Sequence, residues 1–277
     1  MKKTAAYLLS KKQNRQTIVA LTCYDYPTAV LEQEAGVDVI FVGDSVGTNV
    51  LGYDDETQVT MDDIVHHLKA VCRGAHDPFI LADLPYATYE TPAMALANAQ
   101  RLVHHGADIV KLEGDRPEIV SNLVKHGISV CAHLGLQPQT QHTKAVQGKH
   151  FDQAKALIEA ALRLEQAGIT MLLLELIPEE LGKLMTETVH VPTIGIGAGR
   201  FTDGQVLIVN DILGITPRKL KLATRYLDYQ TSTLDAIRRY KHEVEHHVFP
   251  ADEHVRHMAD EERQPMLDWA NAHLRSP

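Results

Sequence analysis

Three carboxylates close three successive apolar runs of this chain. Asp44 follows Val42-Gly43, Asp83 follows Ala82, and Glu113 ends Val110-Lys111-Leu112-Glu113. Brought together, three carboxylates repel one another and hold their protons more tightly unless a cation intervenes. Oxygen donors without a cysteine or a histidine pair suit Mg²⁺, which keeps waters and accepts substrate oxygens in open positions. Any one of these acids could equally cap the helix that follows it. Acids after three adjacent strands favour a metal site.

Other groups leave apolar runs in the same way. Lys111 precedes Glu113 by two residues, so on a strand both side chains share a face. A lysine turned into an apolar interior needs a carboxylate or an anionic ligand beside it; a structural ion pair is the alternative. Ser45, next to Asp44, can donate to a substrate carboxylate or cap a helix. His133, in Cys131-Ala132-His133-Leu134-Gly135, can donate to a carbonyl or carboxylate oxygen or serve only as a rim residue. Glu175 ends the most apolar run, Met171-Leu172-Leu173-Leu174, a setting that suits a general base taking a proton from carbon. The glycines of Gly195-Ile196-Gly197-Ala198-Gly199 read equally as an anion-binding loop and as a tight turn against a neighbour.

The elements that would position these groups are short and regular. Strand-length runs cover 18–22, 37–42, 78–82, 108–112, 128–132, 170–174, 193–196 and 206–209. Each is nearly continuous in apolar residues, as expected for parallel strands covered on both faces. Amphipathic segments lie between them at 27–34, 61–72, 92–105, 117–126, 152–166 and 178–188. Thr60 and Thr91 stand as N-caps, and four helices run out into glycine before the next strand. This rhythm predicts an α/β fold, a (β/α)8 TIM barrel, with a short N-terminal helix and a C-terminal helical extension over 220–229, 232–246 and 264–273. An open doubly wound sheet is disfavoured because no GxGxxG follows the first run. One domain over 1–277 is expected, with a charged tail from about 251 that is helical or partly disordered.

Composition removes several function classes. Lys plus Arg number 27 against 36 Asp plus Glu, a formal charge of −9, which argues against nucleic acid or an anionic membrane as the main partner. No apolar run reaches the ~18 residues needed to cross a bilayer. Three cysteines, far apart and without a CxxC, fit free thiols in a reducing cytoplasm better than disulfides or structural zinc. The 16 histidines lie mostly in charge-rich helical stretches and read as solvated surface.

The motifs taken together resemble the ketopantoate hydroxymethyltransferase family. The carrying stretches are Thr22-Cys23-Tyr24-Asp25-Tyr26, Val42-Gly43-Asp44-Ser45-Val46-Gly47, Gln58-Val59-Thr60-Met61-Asp62-Asp63-Ile64 and Leu81-Ala82-Asp83-Leu84-Pro85-Tyr86. Val110-Lys111-Leu112-Glu113-Gly114, His133-Leu134-Gly135-Leu136-Gln137-Pro138-Gln139, Val146-Gln147-Gly148, Leu174-Glu175, Ile194 to Gly199 and Thr202-Asp203-Gly204-Gln205 follow in order. The resemblance implies a Mg²⁺-binding barrel that transfers a one-carbon unit from 5,10-methylenetetrahydrofolate to 3-methyl-2-oxobutanoate, giving 2-dehydropantoate on the way to pantothenate. It implies Asp44, Asp83 and Glu113 as metal ligands, and Asp44, Ser45, Asp83, Lys111 and His133 around the oxo acid. Glu175 is implied as the proton acceptor, and a homodecamer of two pentameric rings as the assembly. The chain departs from the family pattern at 142–148, which looks shortened, and in a tail longer than usual beyond His254. Two other readings fit parts of the pattern. One is a Mg²⁺-dependent oxo-acid lyase or mutase of the phosphoenolpyruvate mutase type, in which a loop cysteine is expected. The other is a non-catalytic metabolite-binding barrel.

Overall fold

The structure, a computed structural model, describes residues 1–141, 145–217 and 220–274. The sequence reading of a shortened 142–148 loop falls in part on residues 142–144, which lie outside the described residues. Eight parallel strands close into a barrel in chain order: β1 (Ile18–Thr22), β2 (Val39–Val42), β3 (Phe79–Asp83), β4 (Ile109–Glu113), β5 (Val130–Gly135), β6 (Met171–Glu175), β7 (Thr193–Ile196) and β8 (Gly204–Leu207). Helix α1 (Ala5–Gln13) precedes them. Between strands run α2 (Tyr26–Glu34), α3 (Met61–Gly74), α4 (Pro92–His104), α5 (Pro117–Lys125), α6 (Phe151–Ala167) and α7 (Glu179–Thr188). Residues 197–203 join β7 to β8 without a helix, and the single-turn α8 (Val209–Leu213) follows β8.

Alternation along the strands explains why the barrel closes with two separate apolar layers. Ile40, Val42, Ile80, Ala82, Val110, Leu112, Val130 and Ala132 join the helices in the outer core. The residues between them, Val39, Phe41, Phe79, Leu81, Ile109 and Cys131, meet inside the barrel. Strands buried on both faces lose the hydropathy alternation seen in half-exposed sheets. Local signals agree with this architecture. Thr60 accepts from the Asp63 backbone while Asp63 reaches back to the Thr60 amide, and Thr91 accepts from Met94. Gly168 closes α6 in the left-handed conformation.

The chain folds as two compact units, Met1–Leu227 and Asp228–Pro277. The first holds the whole barrel. The second comprises α9 (Tyr229–Glu245), a 3₁₀ turn at Asp252–His254 and α10 (Asp260–His273). The tail thus contains a helix that starts at Asp260, and the expected helix over 220–229 is absent. There the Tyr226 and Leu227 amides donate to the Ile212 carbonyl at the end of α8, so this segment bonds to a neighbour rather than to itself. The eighth strand lies two residues earlier than its apolar run, because the Val209 amide turns to the Thr22 hydroxyl and opens α8. Among the described residues no helix is long and apolar enough to cross a membrane. Cys23, Cys72 and Cys131 are all free thiols.

Candidate active site

The inward-facing series of four neighbouring strands change from apolar to ionisable at the carboxyl end of the barrel. On β3 the series is Phe79, Leu81, Asp83; on β4 it is Ile109, Lys111, Glu113. On β5 Cys131 is followed by His133, and on β6 Met171 and Leu173 by Glu175. Register then sets the neighbours: Asp83 stands opposite Lys111, Glu113 opposite His133, and Gly135 opposite Glu175. Gly135 has φ +98°, and a Cβ there would lie 2.1 Å from the Glu175 carbonyl oxygen, so only glycine lets β6 approach so closely.

Asp83, Lys111, Glu113 and Glu175 belong to strands rather than to the loops beyond them. Their inclusion costs little because each finds a partner. The Lys111 ammonium donates to Asp83 Oδ1 at 2.6 Å, lies 3.6 Å from Glu113 Oε1 and sits 5.7 Å from the centre of the Phe41 ring. His133 Nδ1 is 3.4 Å from Glu113 Oε1 and its Nε2 is 3.3 Å from Glu175 Oε2. These are ion-pair separations; neither ring nitrogen closes a well-aligned hydrogen bond. Asp44 lies just beyond β2, and its backbone amide donates to Asp83 Oδ2 at 3.1 Å. The Ser45 hydroxyl is 2.7 Å from the hydroxyl of buried Tyr24.

Burial and mutual repulsion set the electrostatics. Burial, followed by repulsion from Asp83, holds the Asp44 carboxyl well above the usual carboxylate range. Burial also raises Asp83, with Lys111 working against it. Burial would raise Glu113 too, but Lys111 and His133 outweigh it and its acid is lowered. Burial opposes the charge on Lys111, yet Asp83, Asp44 and Glu113 keep its ammonium firmly protonated. His133 is likewise disfavoured as a cation by burial, but Glu113 and Glu175 raise it to about 9.

A cavity of about 310 Å³ opens above these groups. Asp44, Ser45, Lys111, Glu113, His133 and Glu175 line it together with apolar Phe41, Leu173, Ile196 and Val206. Of the residues singled out in the sequence, only Asp83 is absent from the wall: it is fully buried beneath Lys111. Glu175 does not sit in an apolar setting, since its side chain is 20 % exposed and faces the His133 imidazole. The glycines after β7 serve packing. Gly182 of α7 lies against the Ala198 carbonyl, and Gly199 against the Glu179 side chain.

Sequence reasoning missed Gln139. Its Nε2 donates to Asp44 Oδ2 at 2.8 Å and to the Leu84 carbonyl at 3.1 Å, and its backbone amide donates to Glu113 Oε2 at 3.1 Å. The Tyr89 hydroxyl donates to Gln139 Oε1 at 2.5 Å. One buried residue therefore ties two of the acids together, Asp44 through its side chain and Glu113 through its backbone amide. The only sequence signal was its place in the His133-to-Gln139 motif.

The donor set can be compared with the needs of a hard divalent cation. Four acids (Asp44, Asp83, Glu113, Glu175) share two cationic groups, Lys111 and His133, and among the described residues Asp44 forms no ion pair. Oxygen donors with surplus negative charge fit Mg²⁺ in type and in charge. In this arrangement Lys111 and Gln139 occupy carboxylate oxygens, and among the described residues no three His, Cys, Asp or Glu side chains converge as ligands.

Comparison with known proteins identifies the family. Residues 2–252 match the family model described as ketopantoate hydroxymethyltransferase. A Thermoanaerobacter sp. (strain X514) protein named 3-methyl-2-oxobutanoate hydroxymethyltransferase is 47 % identical over 252 residues, covering 88 % of this chain and 92 % of its own. A protein of the same name from Thermosipho melanesiensis is 43 % identical over 250 residues, covering 88 % and 95 %. Among solved structures, phosphonopyruvate hydrolase complexed with oxalate and Mg²⁺ superposes with a TM-score of 0.60 at 10 % identity, over 99 % of this chain and 100 % of that one, a likeness of fold.

Proposed function

Because the chain belongs to the ketopantoate hydroxymethyltransferase family, we propose that it transfers a hydroxymethyl group to 3-methyl-2-oxobutanoate from 5,10-methylenetetrahydrofolate, giving 2-dehydropantoate for pantothenate synthesis. The observation that carries this reading is the 310 Å³ cavity, sized for a small oxo acid, with Lys111 and the acids at one side and Glu175 at another.

Glu175 removes the proton on C3, next to the carbonyl. The C–H electron pair moves into a C2–C3 double bond, the carbonyl oxygen gains negative charge, and the proton rests on the Glu175 carboxylate. One C–N bond of the folate opens to leave the methylene as an iminium, and the carbon nucleophile bonds to that carbon. Water then replaces the remaining C–N bond and supplies the hydroxyl, while the two folate nitrogens take up protons to leave tetrahydrofolate. Lys111 and Ser45 bind the oxo acid's carboxylate. His133, carried as an imidazolium, holds Glu175 in place from 3.3 Å. Asp44, Asp83 and Glu113 supply the oxygen donors for Mg²⁺. Mg²⁺ held there would act as a Lewis acid where negative charge develops.

Such an enzyme works in the cytoplasm with free thiols, and it assembles as a homodecamer. Family membership and exposed apolar side chains such as Phe151 and Leu184 support the assembly. No cysteine is among the residues that line the cavity, which weighs against mutase-type chemistry using a loop cysteine. The test is the first half-reaction alone: 3-methyl-2-oxobutanoate incubated in D₂O with Mg²⁺ and no folate. The C3 proton should exchange, followed by NMR, and adding the folate should give 2-dehydropantoate. A protein that neither exchanges the proton nor forms product would overturn the assignment.

A further inference from the structure

The Ser45 hydroxyl carries one hydrogen, and a line of groups behind the cavity decides where it points. The line starts at the head of α8, where the Val209 amide donates to Thr22 Oγ1 at 3.0 Å. A backbone amide can only donate, so Thr22 accepts there and keeps its own hydrogen for a further acceptor. That acceptor is the Tyr24 oxygen, to which the Thr22 hydroxyl is hydrogen-bonded. On its other side the Tyr24 hydroxyl lies 2.7 Å from Ser45 Oγ. With the Thr22 hydrogen on its oxygen, Tyr24 gives its own hydrogen to Ser45. The Ser45 hydrogen is then left on the side away from Tyr24, and Ser45 forms part of the cavity wall.

Tyr24 is fixed from behind. It is 3 % exposed and packs in the outer core. His67 Nδ1, on α3, is 2.6 Å from the Tyr24 carbonyl oxygen, which can only accept. The Cys23 amide next to it donates to the Phe41 carbonyl at 2.9 Å. The backbone on both sides of the ring is therefore tied down, and burial keeps the phenol in its protonated, donating form. A phenylalanine would fill the same core space with no hydroxyl to satisfy. The hydroxyl is explained by the two neighbours it joins. Hydroxyls in series polarise one another, so the last one donates more strongly than it would alone. An anion in the cavity can only accept, just as the amide at the start can only donate. Both ends impose the same direction on the line.

We propose that Tyr24 is a positioning residue for the oxo acid: its hydroxyl, supplied by Thr22, holds the Ser45 hydroxyl as a donor aimed into the cavity, where the carboxylate of the acid accepts from it. This rests on the reading that Ser45 binds that carboxylate.

A double-mutant cycle tests it. Tyr24→Phe keeps the ring and removes the hydroxyl, Ser45→Ala removes the donor, and the double variant closes the cycle. Affinity for 3-methyl-2-oxobutanoate is read by calorimetry with Mg²⁺ present, and KM and kcat by product formation. Ser45→Ala should weaken binding by roughly 10–100-fold, the effect of losing a hydrogen bond to a charged group. Tyr24→Phe should weaken it by roughly fivefold, since the bond survives without its polarising neighbour. In the double variant the Tyr24→Phe loss should vanish, leaving the affinity of Ser45→Ala. For Tyr24→Phe, KM for the oxo acid should rise with kcat nearly unchanged, because the carboxylate bears the same charge before and during the reaction. Unaltered affinity in Tyr24→Phe would overturn the relay. So would a Tyr24→Phe loss of equal size in the Ser45→Ala background, which is the signature of packing alone. Full affinity in Ser45→Ala would remove the relay together with the Ser45 contact. Failure of the unaltered protein to bind the acid would sink the functional reading itself, and the relay with it.

Discussion

The two ends of the barrel treat their acids in opposite ways. At the amino end, Asp38, Asp108 and Asp203 immediately precede β2, β4 and β8, and each is paired with a lysine from the first twelve residues. Asp38 takes Lys11 at 2.5 Å, Lys3 at 3.5 Å, the Tyr7 hydroxyl at 2.8 Å and the Val19 amide at 2.9 Å. Asp108 takes Lys2 and the Ile80 amide; Asp203 takes Lys12 and both the amide and the hydroxyl of Thr193. Leu8 of α1 fills the interior beneath them. At the carboxyl end, four acids share two cationic groups around a cavity. Compensated charge at one end builds stability. Surplus charge at the other is a strained arrangement that a cation and an anionic substrate can relieve.

The sharpest way to break this contrast is Glu175→Gln. The variant keeps size and polarity but cannot accept a proton, so C3 exchange and product formation should fall by about 10²–10⁴-fold. Calorimetry should still find the oxo acid bound in the presence of Mg²⁺. Exchange at the unaltered rate would move the base elsewhere, with His133 the next candidate.

Gln139→Leu removes the side-chain hydrogen bond to Asp44 and keeps the backbone bond to Glu113. Supporting residues of this kind typically contribute about 10–100-fold to metal affinity. Mg²⁺ affinity by titration calorimetry should fall in that range, with little change in the melting temperature. A change in melting temperature alone would make Gln139 a packing residue.

Asp38→Asn should reverse the pattern. It leaves Lys3 and Lys11 without their acid and should cost about 2 kcal/mol of stability, read from denaturant unfolding. Turnover per folded molecule should be unchanged. A loss of turnover without a loss of stability would erase the division between the two ends.

Glu32 belongs to neither end and gives a pH dependence. It is buried in α2, both carboxylate oxygens lack partners, and burial, with a lesser push from Asp25, raises its acid to about 8. In the unfolded chain it titrates near its usual value of about 4.3. Between about pH 4.3 and pH 8 the folded state binds the extra proton, so this residue makes stability fall as pH rises. Glu32→Gln should flatten that part of the stability–pH curve. An unchanged slope would mean that the carboxylate finds a partner in solution.

How much of this could be read from the chain alone differs from element to element. Residues 18–22 and 193–196 form strands over the expected spans, because their apolar runs coincide with their hydrogen-bonded lengths. β3, β4 and β6 each run one residue further than their apolar runs, to Asp83, Glu113 and Glu175. Hydropathy stops at the last apolar residue, whereas the ladder continues into charged residues that pair inside the barrel. Strand parity made Lys111 and Glu113 visible as a same-face pair. Parity says nothing about Gln139, which reaches Asp44 across 95 positions from a loop. Nor does it say anything about residues 220–229, whose helical spacing is overridden by hydrogen bonds to Ile212 and by the use of Leu220 and Leu222 in the cavity wall.

The lysines of the N-terminal segment also bear on the order in which the chain can fold. Lys12 meets Asp203 across 191 residues, and Lys2 meets Asp108 across 106. Contacts so distant in sequence pay their loop-closure entropy before they repay it, and they form late. Lys12 must therefore wait for the residue that precedes the eighth strand before its charge is neutralised. Ordering of α1 is then a clock for ring closure: its amides should gain protection from hydrogen exchange only in the step that joins β8 to β1.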